Sequence, residues 1–246
     1  MGLYQRKTMQ KVSLFQDIDK EDCVRLINCL SPQVKQFSKN EIIFATGDTM
    51  QNVCIVLSGT AHACLEHING TQTIMSILKP MRVFGEIIAS TRMQISPVTV
   101  CAVTDVTVAF IDYQKVCSMC ATACAAHRIF LQNMLKFIGE KYFYSFDRMN
   151  ILREKTLRSK IMAYLFALSG SGKTTSATIP FSKTMLADYL LANRSALSKE
   201  LRKMEHDGLI RVNGREVELL FLNKTILNGC EFHRNTYEIK VSDLAI

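Results

Sequence analysis

The feature that most constrains this chain is a change of hydrophobic period. From Val34 to Asp112 the apolar residues come in short strand-like runs, broken at Gly47-Asp48, Ser58-Gly59 and Asn69-Gly70. From Val116 to about Met149 they recur every three or four residues instead. Many short strands at close spacing predict a small antiparallel barrel or roll. Asn-Gly is the strongest of the turn signals, because a type I′ turn needs positive φ at both central residues. A helical lead-in over residues 12–30, carrying Leu14, Phe15, Ile18, Val24, Leu26, Ile27 and Leu30, precedes the roll.

The helical stretch after the roll carries one stripe through Leu131, Leu135, Ile138, Tyr142, Phe146, Met149 and Leu152. Phe130, Met134, Phe137 and Phe143 lie beside it, so more than one face is apolar. One face can pack at home while the other meets a twin helix, as in a parallel coiled coil. A dimer seam is the favoured reading, against the alternative that the whole stripe packs on the roll.

A second, smaller domain follows. A helix is expected over Thr156–Leu168, a break at Ser169-Gly170-Ser171-Gly172 and a short strand at Ile179-Pro180-Phe181, with Ser182 as N-cap of the next helix. Helices over Lys183–Leu190 and about Arg194–His206 are joined tightly. Leu209 to Leu219 then reads as a hairpin around Asn213-Gly214. Helix, helix and a two-stranded wing make a winged helix-turn-helix.

Leu186, Ala187 and Leu190 form the inner face of the first of these helices, and Leu197 and Leu201 that of the second. Asn193, Arg194, Ser195, Ser198, Lys199 and Arg202 fall at the start or on the opposite side of the second helix. Arg can bridge guanine O6 and N7, and Ser can serve donor or acceptor edges. Lys203, Arg211 and Arg215 suit phosphates, which fix register without reading sequence. From Arg153 to Arg215 the chain has twelve Lys/Arg against five Asp/Glu, out of a net charge of +8 overall. A basic segment of this kind fits a nucleic-acid partner.

Other classes find less support. The longest clean apolar run, Ile161 to Leu168, is too short for a membrane span. The basic N-terminus has no apolar stretch behind it, so the expectation is a cytoplasmic protein with no membrane partner. The cysteine count of nine is odd and reads as reduced thiols. Ser169 to Thr175 has the flavour of a phosphate-binding loop, but Ala167 stands where that motif needs Gly, and a helix precedes it instead of a strand. With no nucleophile–base pair elsewhere, an enzyme is not expected; a nucleotide-binding signalling module that does not act on DNA is a further alternative, against which the basic second helix speaks. Cys117, Cys120, Cys124 and His127 share one face if helical, a spacing suited to zinc or an iron–sulfur cluster. Buried structural thiols among Ala121, Ala123, Ala125 and Ala126 are the favoured reading, and a thiol- or metal-based redox sensor is the alternative. The cofactor stays open; His62 and His67 are weak haem candidates beside a turn.

From about Leu14 to Leu222 the chain resembles the Crp/Fnr family of bacterial regulators. The resemblance is carried by Leu57-Ser58-Gly59, Phe84-Gly85-Glu86, Val98–Asp112 and the run from Leu186 through Leu209-Ile210. It implies an α+β fold: an antiparallel β-roll of the cyclic-nucleotide-binding type (1–115), a long dimerisation helix (116–152) and a winged helix-turn-helix (153–224). The tail 225–246 has no assigned role. It implies a transcription factor that binds an inverted-repeat operator as a homodimer, with RNA polymerase as a further partner if it activates. Arg194, Ser195, Ser198 and Lys199 take the base-reading positions, and Leu191 replaces the Gly usual in the turn, at roughly 1 kcal/mol.

By the same resemblance, Phe84, Gly85, Glu86, Ser96 and Pro97 mark the effector pocket. Cyclic-AMP-binding members carry an Arg-Ser pair ten and eleven residues after the Glu, where this chain has Ser96 and Pro97. Met81-Arg82 also replaces the usual Gly-Asp. Without a guanidinium a buried phosphate lacks its partner, so the expected effector is not cyclic AMP, with Arg92 as a weak substitute. Oxygen sensors of the family hold their ligands near the N-terminus, where this chain has only Cys23 and Cys29.

Overall fold

A computed structural model of the chain describes residues 3–67, 70, 72–118, 125–170, 172 and 174–220. These fall into two compact units, one up to Gly139 and one from Glu140.

The first unit opens with α1 (Leu3–Met9), a 3-10 turn (Ser13–Phe15) and α2 (Lys20–Leu30). The expected continuous lead-in over 12–30 is therefore broken. Asp17 sits at φ 59°, and helix restarts only after Asp19. A left-handed residue cannot continue a right-handed helix. Eight strands follow: β1 (Gln33–Phe37), β2 (Ile42–Phe44), β3 (Asn52–Ser58), β4 (Ala61–Glu66), β5 (Gln72–Leu78), β6 (Val83–Phe84), β7 (Thr99–Ala102) and β8 (Val106–Asp112). They build two four-stranded antiparallel sheets, β1-β8-β3-β6 and β2-β7-β4-β5, with the short helix α3 (Glu86–Ser90) between β6 and β7.

Strand β3 explains why the roll needs its helices. It is apolar without interruption because both its faces are covered. Val53, Ile55 and Leu57 pack into the core that holds Leu14, Phe15, Leu26, Ile27 and Leu30, while Cys54 and Val56 face the interior between the sheets. The tight β3–β4 turn depends on Gly59 at φ 79°, where an added Cβ would lie 2.1 Å from the Asp105 carbonyl oxygen. Asn69 of the expected Asn-Gly turn lies outside the described residues.

Two helices follow the roll, α4 (Tyr113–Cys117) and α5 (Ala125–Arg153). The helical stretch starts three residues before Val116 because Asp112 caps it, accepting the Gln114 amide at 2.8 Å. In the first unit α5 buries Phe130, Met134 and Phe137 in the helix-side core, with Phe15 and Phe130 4.9 Å apart.

The second unit contains the end of α5, then α6 (Leu157–Leu168), β9 (Ser176–Thr178), α7 (Lys183–Tyr189), α8 (Arg194–His206), β10 (Ile210–Asn213) and β11 (Glu216–Leu219). Thr156 caps α6 in a capping box with Ser159. The three strands form one antiparallel sheet, β10-β11-β9. Its third strand ends before the expected Ile179-Pro180-Phe181, since Pro180 has no N–H to donate to a ladder. The wing turn also differs by one residue: Asn213 pairs with Glu216, so its centre is Gly214-Arg215. Gly214 alone takes positive φ, at 62°, as a type II′ turn requires of its first central residue. No described helix is long and apolar enough to cross a membrane. Helix α6 is followed in the chain by strand β9, and among the described residues between them the Gly172 N–H donates to the Ser169 hydroxyl. This segment therefore lacks the strand-to-helix frame of a phosphate-binding loop.

Candidate nucleic-acid interface and roll pocket

Local sequence sets both helices of the helix-turn-helix. The Ser182 hydroxyl accepts the Met185 amide at 3.3 Å and starts α7. The Asn193 carboxamide oxygen accepts the Ser195 amide at 2.8 Å and starts α8. Between them Leu191 occupies the left-handed region at φ 52° with its side chain 70% exposed. Leu186, Ala187, Leu190, Leu197 and Leu201 are buried as expected, joined by Tyr189 and Met204.

Burying Leu197, Leu201 and Met204 turns the other side of α8 outward. Ser195, Ser198, Lys199, Arg202 and Lys203 line one open groove, ended by His206 and Asp207. Arg194 is exposed at the first turn, and Ser198 is half-buried. The structure thus brings Ser195, Ser198, Lys199, Arg202 and Lys203 onto one basic helix face, with Arg194 exposed at the first turn outside the groove. His206 was not among the expected residues, although it falls on the same face, four residues after Arg202. Asn193 stands apart, with its oxygen committed to the cap, where it also accepts the Ser195 hydroxyl at 2.7 Å. Arg215 is exposed in the wing turn. Arg211 is committed elsewhere: its Nη1 donates to Glu218 at 2.6 Å across the wing.

The groove is held from behind by Arg158 of α6. Its Nε donates to Glu200 Oε1 at 2.6 Å and its Nη1 to Asp207 Oδ2 at 2.7 Å. The hydrogen bond from Arg158 holds the Asp207 carboxyl below its ordinary value.

In the roll, Phe84 stacks on Phe44 with ring centroids 6.1 Å apart. Gly85 takes φ 80° at the start of α3, and Glu86 behind it is 1% exposed. These three therefore stand together where β6 meets α3. Ser96 is buried but occupied: its hydroxyl donates to the Val98 carbonyl at 2.7 Å and accepts the Val98 amide at 3.3 Å. Pro97 is exposed. The segment is tied to the loop before β3, where Ser96 N–H donates to the Asp48 carbonyl and Met50 N–H to the Gln94 carbonyl. Arg92 is exposed.

Of the cysteine cluster, Cys120 and Cys124 lie outside the described residues. Cys117 is exposed, and His127 is buried with Nε2 3.0 Å from the Val116 carbonyl oxygen, which takes up that ring nitrogen. No group of three His, Cys, Asp or Glu among the described residues is placed to hold a metal. Cys23 and Cys54 are buried, and burial pushes the Cys23 thiol up to about 11. His67 Nε2 lies 2.8 Å from the Thr73 hydroxyl across the β4–β5 hairpin, as a surface pair would.

Residues 34–123 match the model of the cyclic nucleotide-binding domain, and residues 159–224 that of the Crp-like helix-turn-helix domain. The transcriptional activator protein FnrA of Stutzerimonas stutzeri is 24% identical over 191 residues, 76% of each chain. Among solved structures, the catabolite activator protein of Thermus thermophilus is 18% identical, with 89% of this chain and 100% of that one covered and a TM-score of 0.51. A CooA variant from Carboxydothermus hydrogenoformans is 19% identical, covering 82% and 90%, with a TM-score of 0.53. Those two likenesses concern the fold: roll, long helix and C-terminal helix-turn-helix. With the two domain models matched in this order, the basic helix and the wing both inside the second, the chain belongs to the Crp/Fnr family of DNA-binding transcriptional regulators.

Proposed function

We propose that the protein acts as a homodimer on an inverted-repeat operator, with α8 in the major groove of each half-site. The observation that carries the DNA contact is the single basic face of α8. Arg194, Ser195, Ser198 and Lys199 read bases, with Arg202 beside them, while Lys203 and Arg215 hold phosphates. Asn193 serves the interface by capping α8. Two recognition helices then meet half-sites about one DNA turn, roughly 34–36 Å, apart. RNA polymerase is the further partner if the protein activates.

The dimer reading rests on α5. Leu135, Tyr142 and Met149 recur at intervals of seven and are 64%, 63% and 43% exposed. At about 100° per residue they lie within roughly 40° of one line, while Phe130 and Phe137 point to the other side of the helix and Met134 lies on its flank. An apolar heptad line of this kind is what a parallel coiled coil buries. Sedimentation equilibrium on the Tyr142→Glu variant tests it. The expected result is a monomer that no longer prefers an inverted repeat to a half-site; a dimer of unchanged stability would reject this seam.

The roll is the seat of control: an effector that binds one dimer geometry better than the other shifts the population toward DNA binding. Phe84, Gly85 and Glu86 form its edge, with Ser96 and Pro97 on the adjoining segment. Cyclic AMP is a poor fit, because Ser96 is engaged by Val98 and Pro97 offers no donor. Calorimetry is expected to give no binding at micromolar ligand, and a micromolar isotherm would overturn this.

A further inference from the structure

In the second unit the last turns of α5 do two things on opposite sides. Tyr142 and Met149 face outward on the proposed seam. Tyr144 and Arg148 stand roughly 200° and 240° round from Tyr142, taking about 100° per residue. That side meets the helix-turn-helix at Tyr189. The Arg148 guanidinium lies 5.0 Å from the Tyr189 ring centroid, and the Tyr144 ring lies 6.2 Å from it. Tyr164 of α6 closes the cluster, its ring 5.3 Å from that of Tyr189.

Tyr189 is the last residue of α7 and only 4% exposed. Two residues later the chain turns through Leu191 in the left-handed region and enters α8. Helix α7 packs directly on α8. The recognition helix is thus carried by a short rigid hairpin whose base is gripped by the helix that bears the seam. An Arg over a Tyr face gives a directional hold that a plain apolar contact does not, since the cation follows the ring's electron-rich face.

We propose that Tyr189, held by Arg148 and Tyr144, is the positioning residue that sets the separation of the two recognition helices in the dimer, and so selects the operator's spacer length. This rests on the dimer reading above. Tyr189 touches no DNA in this arrangement. It acts through α7, so it governs where the second half-site must lie and not which bases each half-site contains.

The test uses the full chain and duplexes carrying two half-sites selected by the unaltered protein, with the spacer varied in single base pairs. Three variants are compared: Tyr189→Phe, Tyr189→Leu and Arg148→Met. Tyr189→Phe keeps the ring and is expected to keep the original spacer optimum. Tyr189→Leu and Arg148→Met are expected to keep the half-site base preference. Their spacer optimum broadens or moves by at least about one base pair, and affinity at the original spacing falls roughly tenfold. Arg148→Met carries the test if Tyr189→Leu fails to fold, because Arg148 is only partly buried. An unchanged spacer optimum in Arg148→Met would overturn the proposal, as would loss of half-site preference together with spacing. If the unaltered protein shows no spacer preference at all, the dimer reading itself has failed.

Discussion

Arg158 of α6 reaches across to α8 and holds Glu200 at 2.6 Å, in the middle of the recognition helix. Its second arm holds Asp207 at 2.7 Å, just past the end of the same helix. One planar fork therefore fixes α8 at two points 7 residues apart in sequence, a geometry that Lys cannot copy. Arg158→Ala is expected to lower the thermal midpoint and weaken operator binding, with Arg158→Lys in between. The pH dependence has a definite sign. Asp207 is depressed below its ordinary 3.8 mainly by its hydrogen bond from Arg158. Its contribution to stability is fully present above that value and is lost as pH falls through the lower, folded-state value. Acid titration of Tm should show Arg158→Ala closest to the unaltered protein at the lowest pH.

In the proposed interface Lys203 holds position while Arg194 reads bases. Both are exposed on α8, but Arg194 stands at its N-terminal end and Lys203 about two and a half turns further on. Lys203→Ala is expected to weaken all duplexes alike and to reduce the slope of log K against log salt by about one. A salt titration on operator and non-operator DNA measures both quantities. A loss confined to the operator would give Lys203 a base-reading role instead.

Leu191 carries a backbone cost on a largely exposed residue: φ is 52° and the residue is 70% exposed. Leu191→Gly should stabilise the protein by up to about 0.5 kcal/mol in denaturant unfolding, the roughly 1 kcal/mol of left-handed strain less the extra unfolded-state entropy of about 0.5–1 kcal/mol. Destabilisation would mean that the Leu191 side chain packs on something in solution.

Much of this was legible in the residues. Period and turn chemistry placed the roll, the long helix and the helix-turn-helix, and the limits of α8 fell where Asn193 and the basic face indicated. The misses have local causes. Nothing in the apolar spacing of 12–30 marks Asp17, because a left-handed Asp is a tertiary outcome. The wing turn moved because Gly214 serves equally well as second residue of one turn type or first of another. His206 was missed because it follows the last inward residue, Met204, and looks like a helix end. Arg211 looked available for phosphate because its cross-strand partner, Glu218, depends on register. The Tyr189 cluster was invisible, since Tyr144, Arg148, Tyr164 and Tyr189 come from three separate helices.

Two glycines with similar backbone give a contrast in the roll. Gly59 and Gly47 have φ 79° and 92°, yet a Cβ on Gly59 would overlap the Asp105 carbonyl at 2.1 Å, while one on Gly47 meets nothing within 4 Å. Gly47→Ala should cost about 1 kcal/mol for backbone strain alone. Gly59→Ala should cost at least about 3 kcal/mol, because backbone must move as well. Equal costs would show that the β3–β4 turn yields easily.

Selection from a random duplex library at fixed moderate salt shows whether α8 reads DNA sequence. The unaltered protein is expected to recover an inverted repeat with half-sites one turn apart. Arg194→Ala is expected to lose discrimination at one position of each half-site, by about 1–3 kcal/mol, while keeping non-specific binding. Recovery of the same repeat with the same base preferences by Arg194→Ala, Ser198→Ala and Lys199→Ala alike would contradict the account.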